Sequence, residues 1–145
     1  MPTDIHAAQD PGVAKIRALL AAARPDLLAE SREVAKAFKE PPSKPGEPVP
    51  NRSPAVGRLV QKLTTLRGAV ESVSVTAAAA VSAREVTVRA LQETEQSLVK
   101  LAESYGAPDQ SSATELLGES VRLLKAAKAS GALAGKALGI PWPLQ

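Results

Sequence analysis

Residues 55–107, AVGRLVQKLTTLRGAVESVSVTAAAAVSAREVTVRALQETEQSLVKLAESYGA, form a proline-free run of 53 positions, and the reading of this stretch decides the fold. Val56, Leu59, Leu63, Leu66, Val70, Val73, Ala77 and Ala80 follow one another in alternating steps of three and four. That is the a and d spacing of a helix whose narrow apolar seam packs against another helix. Ser53 and Pro54 supply a cap and a first-turn proline at its start, and Gly106, Ala107 and Pro108 supply the stop. The pattern predicts one very long central helix over residues 54–106, a rod of roughly 78 Å at 1.5 Å per residue.

The seam does not run cleanly to the end. Its register meets Arg84, Thr87 and Thr94, recovers at Leu98, Leu101 and Tyr105, and competes with a shifted seam through Val81, Val88 and Leu91. A change of packing is therefore expected near the alanine run Ala77 to Ala80. Ser72 to Val88 is also the one stretch rich in strand-forming valines, but the four alanines inside it favour helix.

Upstream, Asp10 followed by Pro11 marks the start of an N-terminal helix within residues 1–40. Val13, Ile16, Leu20, Ala23, Leu27 and Val34 keep one apolar face across Pro25, which is expected to kink that helix or restart it along the same face. Residues 41–53 open with PPSKPGEPVP, an extended linker, because each proline lacks an amide donor and disfavours helix in the residue before it. Lys39, Pro42 and Pro45 fit the spacing of SH3 ligands, although a semi-rigid spacer accounts for the same residues.

Downstream, residues 107–145 read as a shorter C-terminal helix and tail, folded back antiparallel after the short turn. Ser112 and Glu115 form a capping box, and Leu117, Val121, Leu124 and Ala127 are the expected inner face. Ala127, Gly131, Gly135 and Gly139 then repeat every fourth residue, a smooth groove that would let another backbone approach closely or else a frayed end. Trp142, between Pro141 and Pro143, is a docking knob if exposed.

The composition agrees with an all-α, elongated helical bundle or coiled coil. Of the 145 residues 27 are alanine, and Phe38, Tyr105 and Trp142 are the only aromatics, so the core is expected to be thin and its helices close together. The net charge is +3 with both signs mixed along the chain, a weak nucleic-acid signal. Arg122, Lys125, Lys128 and Lys136 follow the last acid, Glu119, which suits the dipole at a helix C-terminus. Without cysteine, thiol chemistry and cysteine-ligated metals are excluded. Met1 to Asp10 does not read as a secretory signal, and no stretch is apolar enough to span a bilayer, which points to a cytoplasmic protein or part of a particle assembled there.

No set of catalytic groups emerges. His6 is the sole histidine, Glu93 and Glu95 point to different sides of a helix, and there is no phosphate loop or dinucleotide glycine pattern. No cofactor, metal or small-molecule substrate is expected. The function read from the chain is a non-enzymatic structural or assembly protein, a filament, shell-associated or scaffold component. Its interface would be Val56, Leu59, Leu63, Leu66, Val70, Val73, Ala77 and Ala80, and its partner a second copy or another subunit of a larger assembly. An amphipathic surface coat, with Ala-rich helices that resemble those of phasins, is one alternative. A secreted helical hairpin or binding module is another, since Tyr105 and Asp109 resemble the Tyr-x-x-x-Asp signal of type VII secretion substrates, although the Trp-x-Gly of their hairpin turn is missing.

Overall fold

The computed structural model describes residues 10–39 and 53–142 of the chain. The linker prolines, with the SH3-type spacing they carry, and His6 lie outside the described residues. Four helices follow one another: α1 (Pro11–Lys39), α2 (Ser53–Glu71), α3 (Ala78–Tyr105) and α4 (Gln110–Leu138). Sequential helices pack antiparallel, giving an up-down-up-down bundle with no strand among the described residues.

The very long central helix is not formed. Residues 72–77 break it into α2 and α3, and the two halves fold against each other. Ser72, Val73, Ser74, Val75 and Thr76 are all residues that lose rotamer freedom or compete for backbone hydrogen bonds in a helix. Ser72 Oγ donates to Gly68 O at 2.9 Å, beside the Ser72 N bond to the same carbonyl, and Arg84 Nη1 donates to Val73 O at 2.8 Å, so a carbonyl released at the break finds another donor. The N-terminus of α1 presses on the connector: a Cβ on Gly12 would lie 2.5 Å from Ser74 O. Reversal lets the apolar seam be buried within one chain, where a continuous rod would leave it open. Ile16, Leu20 and Leu27 of α1, Leu63 and Val70 of α2, and Leu91 of α3 are almost fully buried in one core. Each such side chain contributes about 1.5–3 kcal/mol of transfer free energy.

Asp10 caps α1 as expected, its Oδ1 accepting from Gly12 N at 2.7 Å. Pro25 neither ends nor restarts α1, which continues through it to Lys39. The donor it lacks would have served Ala21, and both residues are exposed, so water can serve that carbonyl instead. Glu95 on α3 is buried yet paired: Arg67 Nε donates to Glu95 Oε2 at 2.6 Å, and Thr64 Oγ1 donates to Glu95 Oε1. The Glu95 and Glu71 hydrogen bonds raise the Arg67 pKa above its already high ordinary value, so the guanidinium stays charged.

The α3–α4 hairpin is built differently. Small residues recur every seventh position on both helices, at Ala83, Ala90, Ser97 and Ser104 and at Ala113, Ser120, Ala127 and Ala134. All except Ala113, which is half-buried, are buried. Ser97 Oγ donates to Ser120 O at 2.9 Å and Ser120 Oγ donates to Ser97 O at 2.8 Å, a reciprocal exchange that requires the two backbones to be close. From that pair the antiparallel register brings Ala90 level with Ala127 and Ala83 level with Ala134. Alanine and serine bury little area, so cohesion rests on dispersion between near backbones and on hydroxyl bonds of about 1 kcal/mol each.

Two expectations for α4 fail, the first because the central helix is broken and the second because small residues make the contact. It is 29 residues long, against 28 for α3, and so is not a shorter helix. Its inner face is the small-residue row: Leu117, Val121 and Leu124 are 46%, 47% and 43% exposed. The cap is also shifted from Ser112 to Asp109, whose Oδ1 accepts from Ser112 N at 2.7 Å. Hydrogen bonds from the Ser112 backbone and side chain lower the Asp109 pKa.

Candidate interaction surface

The eight seam residues do not present a free interface. Val56, Leu59, Leu63, Leu66, Val70, Val73 and Ala80 are each no more than 8% exposed within the single chain. Ala77 is exposed but stands in the connector as the N-cap residue of α3. The seam is thus covered by the chain's own helices, because the break at residues 72–77 returns α3 onto α2.

The small-residue groove is also occupied from within. Gly139 takes a left-handed φ of 72°, and Gly139 N and Ile140 N donate to Lys136 O at 3.3 Å and Gly135 O at 3.0 Å. This capping motif turns the tail back along α4. The indole of Trp142 lands on Gly131, where a Cβ would lie 2.6 Å from ring atom Cδ1, and Ile140 O would lie 2.7 Å from a Cβ on Gly135. Trp142 is 4% exposed and so is not a docking knob but a plug. Ala127 belongs to the α3–α4 contact. Glycine at 131 and 135 accordingly makes room for the tail, a role the spacing alone could not distinguish from an assembly contact.

A different surface remains. Leu117, Val121, Leu124, Lys128, Gly131, Gly135 and Leu138 recur in steps of four and three, so they share one face of α4. Its C-terminal half is closed: Leu138 is fully buried, the tail covers both glycines, and α1 arrives there, Arg17 Nη1 donating to Leu138 O at 3.4 Å. Its N-terminal half is open, and the second half of α1 leaves its three apolar residues uncovered. Tyr105, 52% exposed, extends the open half at the hairpin tip, where it and Leu117 line a shallow cavity of about 480 Å³ with Ser104, Ala113 and Thr114. Val99 and Leu133 are exposed singly on other sides, which is ordinary for a folded surface.

The open half carries more base than acid. Arg122, Lys125 and Lys128 are exposed and form no ion pair among the described residues, while Glu119 is drawn away to Lys100 at 3.5 Å. Between α1 and α2, Glu30 pairs with Arg58 at 3.4 Å and Asp26 with Lys62 at 3.5 Å across an open groove of about 800 Å³. Asp109, paired with Tyr105 in the secretion-type spacing, is accounted for as the α4 cap. No three His, Cys, Asp or Glu side chains among the described residues cluster as a metal site would, and no described helix is long and apolar enough to cross a membrane. The chain matches no protein-family model, no curated protein and no solved structure.

Size was the signal that misled and the signal that could have corrected. Leu117, Val121 and Leu124 look like an inner face because they are large. The seven-residue repeat of small residues on both α3 and α4 was legible and marks the close contact instead.

Proposed function

We propose that this chain is a non-enzymatic assembly protein, a helical module that joins a larger protein structure through the open half of the α4 face. The observation carrying this reading is the row Leu117, Val121 and Leu124, three large apolar side chains, each more than two-fifths exposed, at consecutive a and d spacing on one helix. An ordered apolar row of this kind is favourable to cover with another protein surface. The long-helix seam has no part in this reading, because the chain has already buried it. A self-contained core beneath a partly uncovered helix suits a subunit that folds first and docks afterwards.

Site-specific photo-crosslinking in the protein's own cells tests the reading. A benzoylphenylalanine placed at Leu117, Val121 or Leu124 is expected to give a discrete protein adduct of constant mass. The same probe at Leu133, on the outer side of α4, is expected to give none. Equal labelling from all four positions, or none from the row, rejects the proposal.

A further inference from the structure

Resting on that reading, we infer that the occupant of the open α4 face is an acidic amphipathic helix from a different protein chain. The face asks for a helix because its apolar positions step by four and three along a straight axis, and from Leu117 to Lys128 they cover about 16 Å, roughly three turns. Tyr105 at the hairpin tip and the Trp142 plug beyond Lys128 bound the site at its two ends. The plug's position on Gly131 ends the apolar row on one side.

The sign of the partner follows from Arg122, Lys125 and Lys128. All three are exposed on the half of α4 that holds the row, and none has an acidic partner among the described residues. Against them stand Glu115, which forms no ion pair among the described residues, and Asp109, which caps α4. A helix with leucines on one side and glutamates flanking them would bury the row and neutralise the bases together. That complementarity sets partner choice and encounter rate more than raw affinity.

The same charges argue against a second copy. A two-fold pairing of two α4 faces brings each residue near the axis against its own equivalent. Each copy would bring the same excess of base, Arg122, Lys125 and Lys128 against Glu115 and a Glu119 already shared with Lys100, to face its equal. Lipid is disfavoured by depth: the row is more than half covered by the chain itself, whereas an interfacial helix buries its whole apolar face in the acyl boundary.

Two synthetic helical peptides of three heptads test this with the full chain. Both carry leucine at a and d, one with glutamate and the other with lysine at the flanking positions, and binding is followed by fluorescence anisotropy. The glutamate peptide is expected to bind about tenfold more tightly at low salt, an advantage that shrinks as salt rises. Val121→Asp with Leu124→Asp should abolish binding, and Arg122→Glu with Lys125→Glu and Lys128→Glu should reverse the preference, with circular dichroism unchanged in both variants because every altered side chain is exposed. If both peptides bind the row equally, or the lysine peptide binds better, the acidic assignment is overturned while the docking face stands. Self-association that Val121→Asp removes, or binding to phosphatidylglycerol vesicles without binding to the glutamate peptide, overturns it in favour of those occupants. No binding of either peptide, together with no photo-adduct from the row, sinks both the assignment and the face.

Discussion

The two halves of one face of α4 have opposite fates. In the C-terminal half, glycines at 131 and 135 open a notch, Gly139 turns the chain, and Trp142 comes down into the space, so that Leu138 is fully buried and the indole nearly so. In the N-terminal half the same helical positions carry Leu117, Val121 and Leu124, larger side chains that nevertheless remain more than two-fifths exposed. Apolar size therefore did not decide burial here. What decided it was whether the chain had a segment able to reach the face: the tail and the N-terminal half of α1 reach one half, and no described segment covers the other.

The largest expected effect breaks the closed half. Trp142→Ala removes an aromatic side chain that is 4% exposed, and should cost about 3 kcal/mol in chemical denaturation, at the low end for a buried tryptophan because the tail can partly collapse onto the glycines. Gly131→Ala comes next. Its Cβ would stand 2.6 Å from the indole, so the ring must move, and a loss of about 2 kcal/mol is expected, with a red shift in the fluorescence of the only tryptophan. An unchanged emission spectrum in Gly131→Ala would show that the ring does not sit in the notch.

The open half should respond in the contrary way. Val121→Asp places a charge on a side chain that is 47% exposed, and the melting free energy should change by no more than about 0.5 kcal/mol. A loss as large as that of Trp142→Ala would mean that α1 or the tail closes over this half as well, and the contrast would collapse. The smallest effect sits at the hairpin tip that bounds the open half. Asp109 has a pKa below its unfolded value, so its contribution is complete above the ordinary aspartate range and is lost as pH falls through the lower folded value. Amide exchange at Ser112 should therefore quicken on acidification, and Asp109→Asn should quicken it less at neutral pH than Asp109→Ala, because asparagine still caps.

A second contrast, between α1–α2 and α3–α4, explains how much could be read in advance. The first pair is held by large side chains such as Ile16, Leu20, Leu27 and Leu63, and the apolar spacing of the N-terminal helix and the heptad of the next identified them as residues seeking burial. The second pair is held by Ala83, Ala90, Ser97, Ala127 and Ala134. Small residues have little transfer free energy of their own and become cohesive only when another backbone is near. Reading by hydrophobicity therefore put Leu117, Val121 and Leu124 inside along with Ala127, and only Ala127 belongs to the row that is inside. The heptad through Val70, Val73, Ala77 and Ala80 was equally blind to the chain reversal, since residues that seek burial do so whether the helix continues or doubles back.

By itself the sequence determined what is local: an all-helical chain, a start at Asp10 and Pro11, and a stop at Gly106, because propensity and capping act within a few residues. Tertiary structure alone decided that residues 72–77 reverse the chain, that the seam is covered from within, that Trp142 fills the glycine notch, and that half of one α4 face stays open. Those outcomes depend on which surfaces come close, and the free energy of close approach belongs to pairs of segments that no local pattern contains.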